Sequence, residues 1–497
     1  MFSVELWPRP GGPEFPSNGK GRLHRLPGIL AACCALLFVA VGAFSLDSLG
    51  VQTDEASFAA GIYGSFNRAN VMSVFHKPVP LMVLTYYGTV KSWIYRPVFA
   101  LFGVTAYSVR LPALLIGGCT IWLFYRLVAR TAGRTAAVVG CALLATDPVF
   151  LLTIRWDWGP VAIQHFCLVG GLAALAAWHQ EQRARWLAAG FFLFGLGLWD
   201  KAVFVWSLAG VAAAAFVVLP REILRAARQP LNVAIACTFF LLGALPLLIY
   251  NVRHQGVTFR TNGNWSASNV SAKARLLAEM AQGRGFHGVI ATDAQAGRQR
   301  EPETGAARLL VRLDEACGQP RRSLAWVLWI AGLLLAPFLR RTRGGAAAAF
   351  ALVFCAVAWG FMALSGGSAS AHHAVLIWPM PYMALAPALA AAACRFGRRG
   401  KALLGAAVVA AALSNLLVTA TYYRDEIRNG GAPAWTDAFN SLSRELDAMR
   451  VRRVGLLDWG FFDNLRLFHQ GRLEQVSISV PANANQKQFI GGLLRDP

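Results

Sequence analysis

Apolar runs of roughly 17–25 residues recur along the chain, separated by polar segments of uneven length. That is the length a helix needs to cross ~30 Å of hydrocarbon. The pattern predicts helices over roughly 26–46, 105–127, 136–152, 160–178, 187–199, 202–219, 231–250, 323–339, 346–364, 374–394 and 402–421. The 187–199 run is short, which implies a tilt or a different join to its neighbour. The expected fold is an all-α polytopic membrane protein with about eleven transmembrane helices. The first run follows a 25-residue polar tail without a small-residue cleavage pattern behind it, and reads as a retained anchor.

Composition supports this threading. Of 497 residues, 56% are hydrophobic and 14% charged, against about a quarter charged in soluble domains. Lys and Arg concentrate in cytoplasmic loops. Alternate connections here carry Arg126, Arg130 and Arg134, then Arg183 and Arg185, then Arg221, Arg225 and Arg228, then Arg340, Arg341 and Arg343, then Arg395, Arg398, Arg399 and Lys401. The N-terminal tail adds Arg9, Lys20, Arg22 and Arg25, whereas the short connections of the other side hold Arg155 and Lys201. The phase predicts a bacterial inner (plasma) membrane protein with a cytoplasmic N-terminus and a periplasmic C-terminus. The formal charge of +22 is then mostly a topology signal; a nucleic-acid footprint would cluster on one soluble face. Eight of the nine cysteines lie in apolar runs, so no disulfide framework is implied.

The expected organisation is a tail (1–25), a membrane domain (26–421) and a small periplasmic α/β unit (422–497). Within the membrane domain, 47–104 forms a first outer loop and 251–322 a long second one. In the first, amphipathic stretches near 55–68 and 79–101 predict interfacial helices, Lys91 and Arg96 suiting a helix that lies at the surface. In the second there is little periodicity between 255 and 305. The terminal unit reads as helix 436–450, strand 454–458, helix 461–469 and strand 474–480.

Unusual polar residues gather at the outer ends of the runs: Asp54, Glu55, His76, Lys77, Arg110, Asp147, Arg155, Asp157, Asp200, Lys201, Arg253, Arg260, His372 and His373. Each has a plain alternative. Thr53 or Asp54 suits an N-cap, and Glu55 suits the helix dipole; equally, a carboxylate there can act as a general base. Pro78 suits the first turn of a helix. Lys77 can snorkel to lipid phosphates or hold the phosphate of a lipid donor. His76 is either a hydrogen bonder or a metal ligand. Arg155 and Asp157 alternate with tryptophans that also fit an interface belt. Asp200 and Lys201 can be a self-neutralised pair.

In order along the chain, these residues resemble the polyprenyl-phosphate-sugar-dependent glycosyltransferases of the C-type fold, the glycosyltransferase family 39-like group of protein O-mannosyltransferases and lipid A aminoarabinose transferases. The resemblance is carried by Thr53-Asp54-Glu55-Ala56-Ser57-Phe58, by His76-Lys77-Pro78, by Arg110-Leu111-Pro112, by Asp157, and by Gly195-Leu196-Gly197-Leu198-Trp199-Asp200-Lys201. His372-His373 before Leu376-Ile377-Trp378-Pro379 is a looser match. It covers residues 50–260 well and the remainder in layout. Two departures stand out: Asp200 replaces a Thr, and His76 replaces the Glu of the aminoarabinose enzymes.

The resemblance implies transfer of a sugar from a polyprenyl-phosphate donor to an acceptor hydroxyl, on glycan, lipid or protein, at the periplasmic face, with inversion. Asp54 would be the base. Glu55, Lys77, Arg110, Asp157, Lys201, Arg260 and His373 would bind substrate, with His76 a metal ligand if a divalent ion takes part. Two other classes stay open: a lipid or solute transporter or flippase, and a non-catalytic scaffold. Transporters favour repeats and broken helices with midplane sites, whereas the polar set here lies at one face.

Overall fold

A computed structural model describes residues 25–478 apart from 65–69, 287–288, 291–298, 319–321, 340–342, 367–369, 433–434 and 437. The expectations for Arg9, Lys20 and Arg22, for Arg340 and Arg341, for the end of the 55–68 stretch and for residues beyond 478 lie outside the described residues. The chain begins with α1 (Leu26–Gly42) and α2 (Thr53–Ala60), then strands β1 (Val71–Val74), β2 (Lys77–Pro80), β3 (Met82–Leu84) and β4 (Tyr87–Gly88), then α3 (Val90–Phe102). The bundle follows as α4 (Ala106–Thr131), α5 (Arg134–Thr146), α6 (Pro148–Arg155), α7 (Val161–Glu181), α8 (Ala184–Asp200), α9 (Phe204–Val218), α10 (Pro220–Ala227) and α11 (Pro230–Arg253). Next come α12 (Val257–Asn262), α13 (Val270–Ala281), α14 (Gly305–Ala316), α15 (Ala325–Leu335), α16 (Arg343–Leu364), α17 (Ala371–Ala374), α18 (Met380–Arg395) and α19 (Gly397–Asn429). The last elements are α20 (Ala438–Ala448), β5 (Arg453–Leu456), α21 (Phe462–Phe468) and β6 (Glu474–Ser477).

Among the described residues, five helices are long and apolar enough to cross a membrane: α4, α7, α11, α16 and α19. The number rises to eight if each of three bent pairs is one span, and α1 and α15 are apolar but shorter. The protein is therefore a multi-pass membrane protein, with five to eight spans by length and composition. Its outer surface is apolar, with Leu36, Phe216, Leu231, Leu334 and Leu403 each at least two-thirds exposed. An apolar belt of this extent is what lipid would cover.

Local chemistry explains the bends and the tight crossings. α5 and α6 meet at 56° because Pro148 starts a new helix and disfavours helical geometry at the residue before it. That residue, Asp147, caps α6: its Oδ1 accepts from Phe150 N–H at 2.7 Å. Its Oδ2 accepts from Trp378 Nε1 at 3.2 Å and from the Tyr382 hydroxyl, which ties the bend to α18. α8 and α11 cross closely through glycines. A Cβ on Gly195 would sit 2.1 Å from the Phe240 carbonyl, and one on Gly243 2.3 Å from that of Phe192. Small residues let membrane helices approach in this way.

The segment between α2 and α3 differs from the expected interfacial helix over 79–101. β1 and β2 form a hairpin, Val74 pairing with Lys77. The two turn residues, Phe75 and His76, both take positive φ (49° and 64°), the geometry of a two-residue hairpin loop. β3 and β4 form a second short pair, and helix starts at Val90. Pro78 and Pro80 belong to a strand, where proline's fixed φ is tolerated at an edge. Lys91 also departs from the surface position read from the sequence: it is fully buried, whereas Arg96 stays out over the Trp93 ring.

Within 251–322, α12, α13 and α14 give helical order that periodicity did not reveal. At the end of the described chain, β5 and β6 pair in parallel and pack with α20 and α21 around Phe439, Leu446, Leu456, Leu465 and Leu473.

Candidate active site

Gln52 closes a capping box at the start of α2. Its side chain accepts from the Asp54 and Glu55 amides, and the Glu55 carboxylate accepts from the Gln52 amide. Neither Thr53 nor Asp54 is the cap, so the plain reading of Asp54 falls away. Its half-buried carboxylate is oriented instead by Trp158, whose Nε1 donates to Oδ2 at 3.2 Å. Oδ1 has no hydrogen-bond partner among the described residues.

Glu55 does something different. It is fully buried and takes a two-pronged ion pair from Arg110, Nε to Oε1 at 2.6 Å and Nη2 to Oε2 at 3.0 Å. The other Arg110 N–H groups donate to the carbonyls of Leu46, Leu49 and Gly50, and the guanidinium lies over the Trp156 ring. All five donors of the fork are used. Both residues had been expected to meet substrate; their polar atoms are spent on each other and on the loop that leads into α2. Arg110→Met would strand a buried carboxylate, a loss of about 3–5 kcal/mol. Thermal melting of the detergent-solubilised protein should drop sharply or yield no folded species; an unchanged midpoint would contradict this role.

The turn between α6 and α7 brings Trp158 to Asp54 and places Asp157 and Gly159 against neighbouring polar groups. Asp157 takes a positive φ of 41°, uncommon for a residue with a Cβ though better tolerated by Asp than by most. Its Oδ2 lies 2.5 Å from Lys91 Nζ, which also donates to the Glu55 carbonyl at 3.0 Å. Trp158 reaches Asp54 and packs at a tilt against His372, ring centroids 4.8 Å apart. A Cβ on Gly159 would lie 3.0 Å from Lys201 Nζ and 3.0 Å from His372 Cδ2, so turn, lysine and histidine converge.

Lys201 is held by the β3–β4 pair. Tyr87 bridges to it, Ala202 N–H donates to the Tyr86 carbonyl at 3.0 Å, and Trp199 Nε1 donates to the Leu81 carbonyl at 2.9 Å. Gly88 leaves no room for a side chain there, since a Cβ would come 1.9 Å from the Trp199 carbonyl. The Lys201 ammonium sits over the Tyr87 ring at 5.0 Å and has no hydrogen-bond partner among the described residues. Burial draws its pKa from 10.5 down to about 8, opposed by the nearby carboxylates of Asp54 and Asp200. Asp200 is fully buried, and neither carboxylate oxygen has a hydrogen-bond partner among the described residues.

His373 packs against His372 and Trp206, and its Nδ1 has no hydrogen-bond partner among the described residues. His76 and Lys77 stand exposed at the β1–β2 tip, and no hydrogen bond or ion pair among the described residues joins them to Asp54. Arg260 is exposed on α12, the helix that Thr258 fastens to the Thr85 carbonyl. Among the described residues no three or more His, Cys, Asp or Glu side chains gather as a metal set requires.

The structure thus groups Asp54, Asp157 and Lys201 with Lys91, Trp158, Asp200 and His372, and leaves His76, Lys77 and Arg260 apart. Two further participants carry no motif: Lys91, which looked like a surface lysine, and Asp463 of α21, whose raised pKa owes first to burial and also to the negative charge of Asp54. A cavity of about 400 Å³ lies elsewhere. It lies between the opposite ends of α4, α7, α8 and α9, lined by Leu172, Phe191, Val211 and Met383.

Comparisons with known proteins bear on the fold and the family. Residues 88–250 match the family described as dolichyl-phosphate-mannose-protein mannosyltransferase. YycA of Bacillus subtilis, which carries a mannosyltransferase name, is 28% identical over 174 residues, 35% of this chain and 22% of YycA. The match thus spans about a fifth of that relative's length. ArnT from Cupriavidus metallidurans, solved bound to undecaprenyl phosphate, superposes with a TM-score of 0.54 at 13% identity, covering 94% of this chain and 87% of ArnT. The Archaeoglobus fulgidus oligosaccharyltransferase, solved with zinc and sulfate, gives 0.52 at 13% identity, covering 91% and 62%. Over residues 88–250 the chain therefore carries a domain like that of the family 39 glycosyltransferases, and along nearly its whole length it has the C-type fold shared by ArnT and the archaeal enzyme.

Proposed function

We propose that the protein is a membrane glycosyltransferase that moves a sugar from a polyprenyl-phosphate donor to an acceptor hydroxyl on the periplasmic side, with inversion. The observation that carries the reading is an oriented Asp54 carboxylate in the neighbourhood of a buried Lys201 ammonium that has no hydrogen-bond partner among the described residues, at one end of an apolar helix bundle. The undecaprenyl phosphate held by ArnT supports a donor of this class.

Asp54 Oδ1 removes the acceptor proton as the hydroxyl oxygen attacks the anomeric carbon. The bond from that carbon to the phosphate oxygen breaks, and its electron pair leaves with the polyprenyl phosphate. One direct displacement inverts the centre and needs one base, unlike the paired carboxylates of retaining glycosidases. Lys201 meets the growing charge on the phosphate. A preformed cation in a water-poor site does this with little reorganisation. Lys77 and Arg260, at the rim, are left to attract the donor headgroup.

Deletion of the gene and mass spectrometry of envelope lipids and glycans should reveal a product one sugar lighter, restored by the wild-type gene; an unchanged envelope would overturn the function. The reading also sets a pH dependence. The cation is the working form of Lys201, present below its pKa of about 8. kcat/KM for donor should therefore fall as pH rises through about 8, since kcat/KM reports groups of the free enzyme. Lys201→Arg should move that decline upward, arginine staying charged. A decline at the same pH in the arginine variant would assign it to another group.

A further inference from the structure

Residues of α21 and the turn before it lie against the helix that carries Asp54. Thr53 Oγ1 donates to the Gly460 carbonyl at 2.5 Å. Asn464 Nδ2 donates to the Val51 carbonyl at 2.5 Å. Arg466 Nη1 donates to the Gly64 carbonyl at 3.4 Å. These bonds bracket α2: one just before it, one on its first residue, one past its end. Leu467 is fully buried in the same apolar cluster as Val51, Ala56, Ala59 and Ala60.

The partners are some 400 positions apart in sequence, so no local pattern requires the contact. An eight-residue helix is also too short to hold itself in water. Tertiary contacts must set its position. One side of α2 is fixed by Arg110 and Lys91, through Glu55. The other side is fixed by α21. Asp463, next to Asn464, is kept in place by Arg466 at 3.1 Å.

We infer that residues 459–466 are a positioning element of the transfer site: Gly460 and Asn464 fix the first turn of α2, and with it the point from which Asp54 reaches the acceptor hydroxyl. The terminal α/β unit then belongs to the catalytic centre, and its loss or displacement lowers turnover without changing donor binding. The inference rests on Asp54 as base. Misplacing a reacting group by ~1 Å costs ~10²-fold, so modest movements of α2 suffice.

The test uses the purified full-length protein in detergent, undecaprenyl-phosphate [³H]mannose as donor and envelope glycolipid extract as acceptor. Thr53→Val and Asn464→Leu each remove one of these bonds. Both should lower kcat per folded molecule about tenfold or more, with donor KM nearly unchanged and melting close to wild type. Thr53→Ser keeps the hydroxyl and should rescue kcat. Thr53→Val alone decides the matter if Asn464→Leu does not fold. Wild-type kcat in Thr53→Val while Asp54→Asn is inactive overturns the inference and leaves the base intact. Full transfer by Asp54→Asn overturns the base reading itself.

Discussion

Asp54→Asn should lower transfer by roughly 10²–10⁴-fold, the usual contribution of a positioned general base, while folding and membrane insertion stay intact. The asparagine oxygen still accepts from Trp158, so the side chain keeps its orientation. What is lost is basicity. The fold does not depend on this carboxylate, because Gln52 and Glu55 cap α2 between them. Removing one charge from a helix's first turn costs only about 0.3–1 kcal/mol. The comparison with Arg110→Met is informative for that reason. One variant should give a folded, inactive protein; the other should melt far lower or not fold at all. Gel filtration and thermal melting in detergent, beside the transfer assay, separate the two. A strongly destabilised Asp54→Asn protein would mean that the carboxylate supports structure instead.

Lys201→Met should lower kcat/KM for donor by about 10²–10³-fold, the range seen when one preorganised charge-stabilising group is removed. The acceptor's KM should change little, since the ammonium serves the phosphate. Among Lys77, Arg110, Lys201 and Arg260, Lys201 alone combines burial, the influence of Asp54 and an ammonium with no hydrogen bond among the described residues. Arg110 is saturated by its own loop, and Lys77 and Arg260 are exposed. Alanine substitution of those two should weaken donor binding by much less, because exposed charges are screened by salt. A Lys77→Ala variant crippled more severely than Lys201→Met would reverse the assignment and require the β1–β2 tip to fold over the site.

Much of the bundle was legible in the sequence, for a simple reason. Lipid demands long apolar runs whose backbone groups are satisfied internally, so run and helix coincide. The number of crossings was less legible. Proline breaks such as Pro148 and Pro220 divide runs into bent pairs, and length alone does not say how many cross. The hairpins at 71–88 were hidden because Pro78-Val79-Pro80-Leu81-Met82 looks like an apolar helical stretch. Their turn residues, Phe75 and His76, are also not the usual Asn-Gly.

The same division applies to the site. Asp54 and Lys201 stood out because charge beside an apolar run is rare. Lys91 did not, because a lysine on an amphipathic helix ordinarily faces water. Only the fold turns it toward Asp157. Asp463 and Asn464 lie in no motif, and their relation to α2 is purely tertiary.

The central claim is that Asp54 and Lys201 carry out transfer to an acceptor, as opposed to moving a lipid across the bilayer. Its most direct test is reconstitution of the purified protein in vesicles holding undecaprenyl-phosphate [³H]mannose, with envelope glycolipid extract as acceptor. Label should leave the phosphate linkage and appear on the acceptor, and Asp54→Asn should stop this. Label that changes leaflet with its phosphate bond intact, at equal rates in wild type and Asp54→Asn, would contradict it.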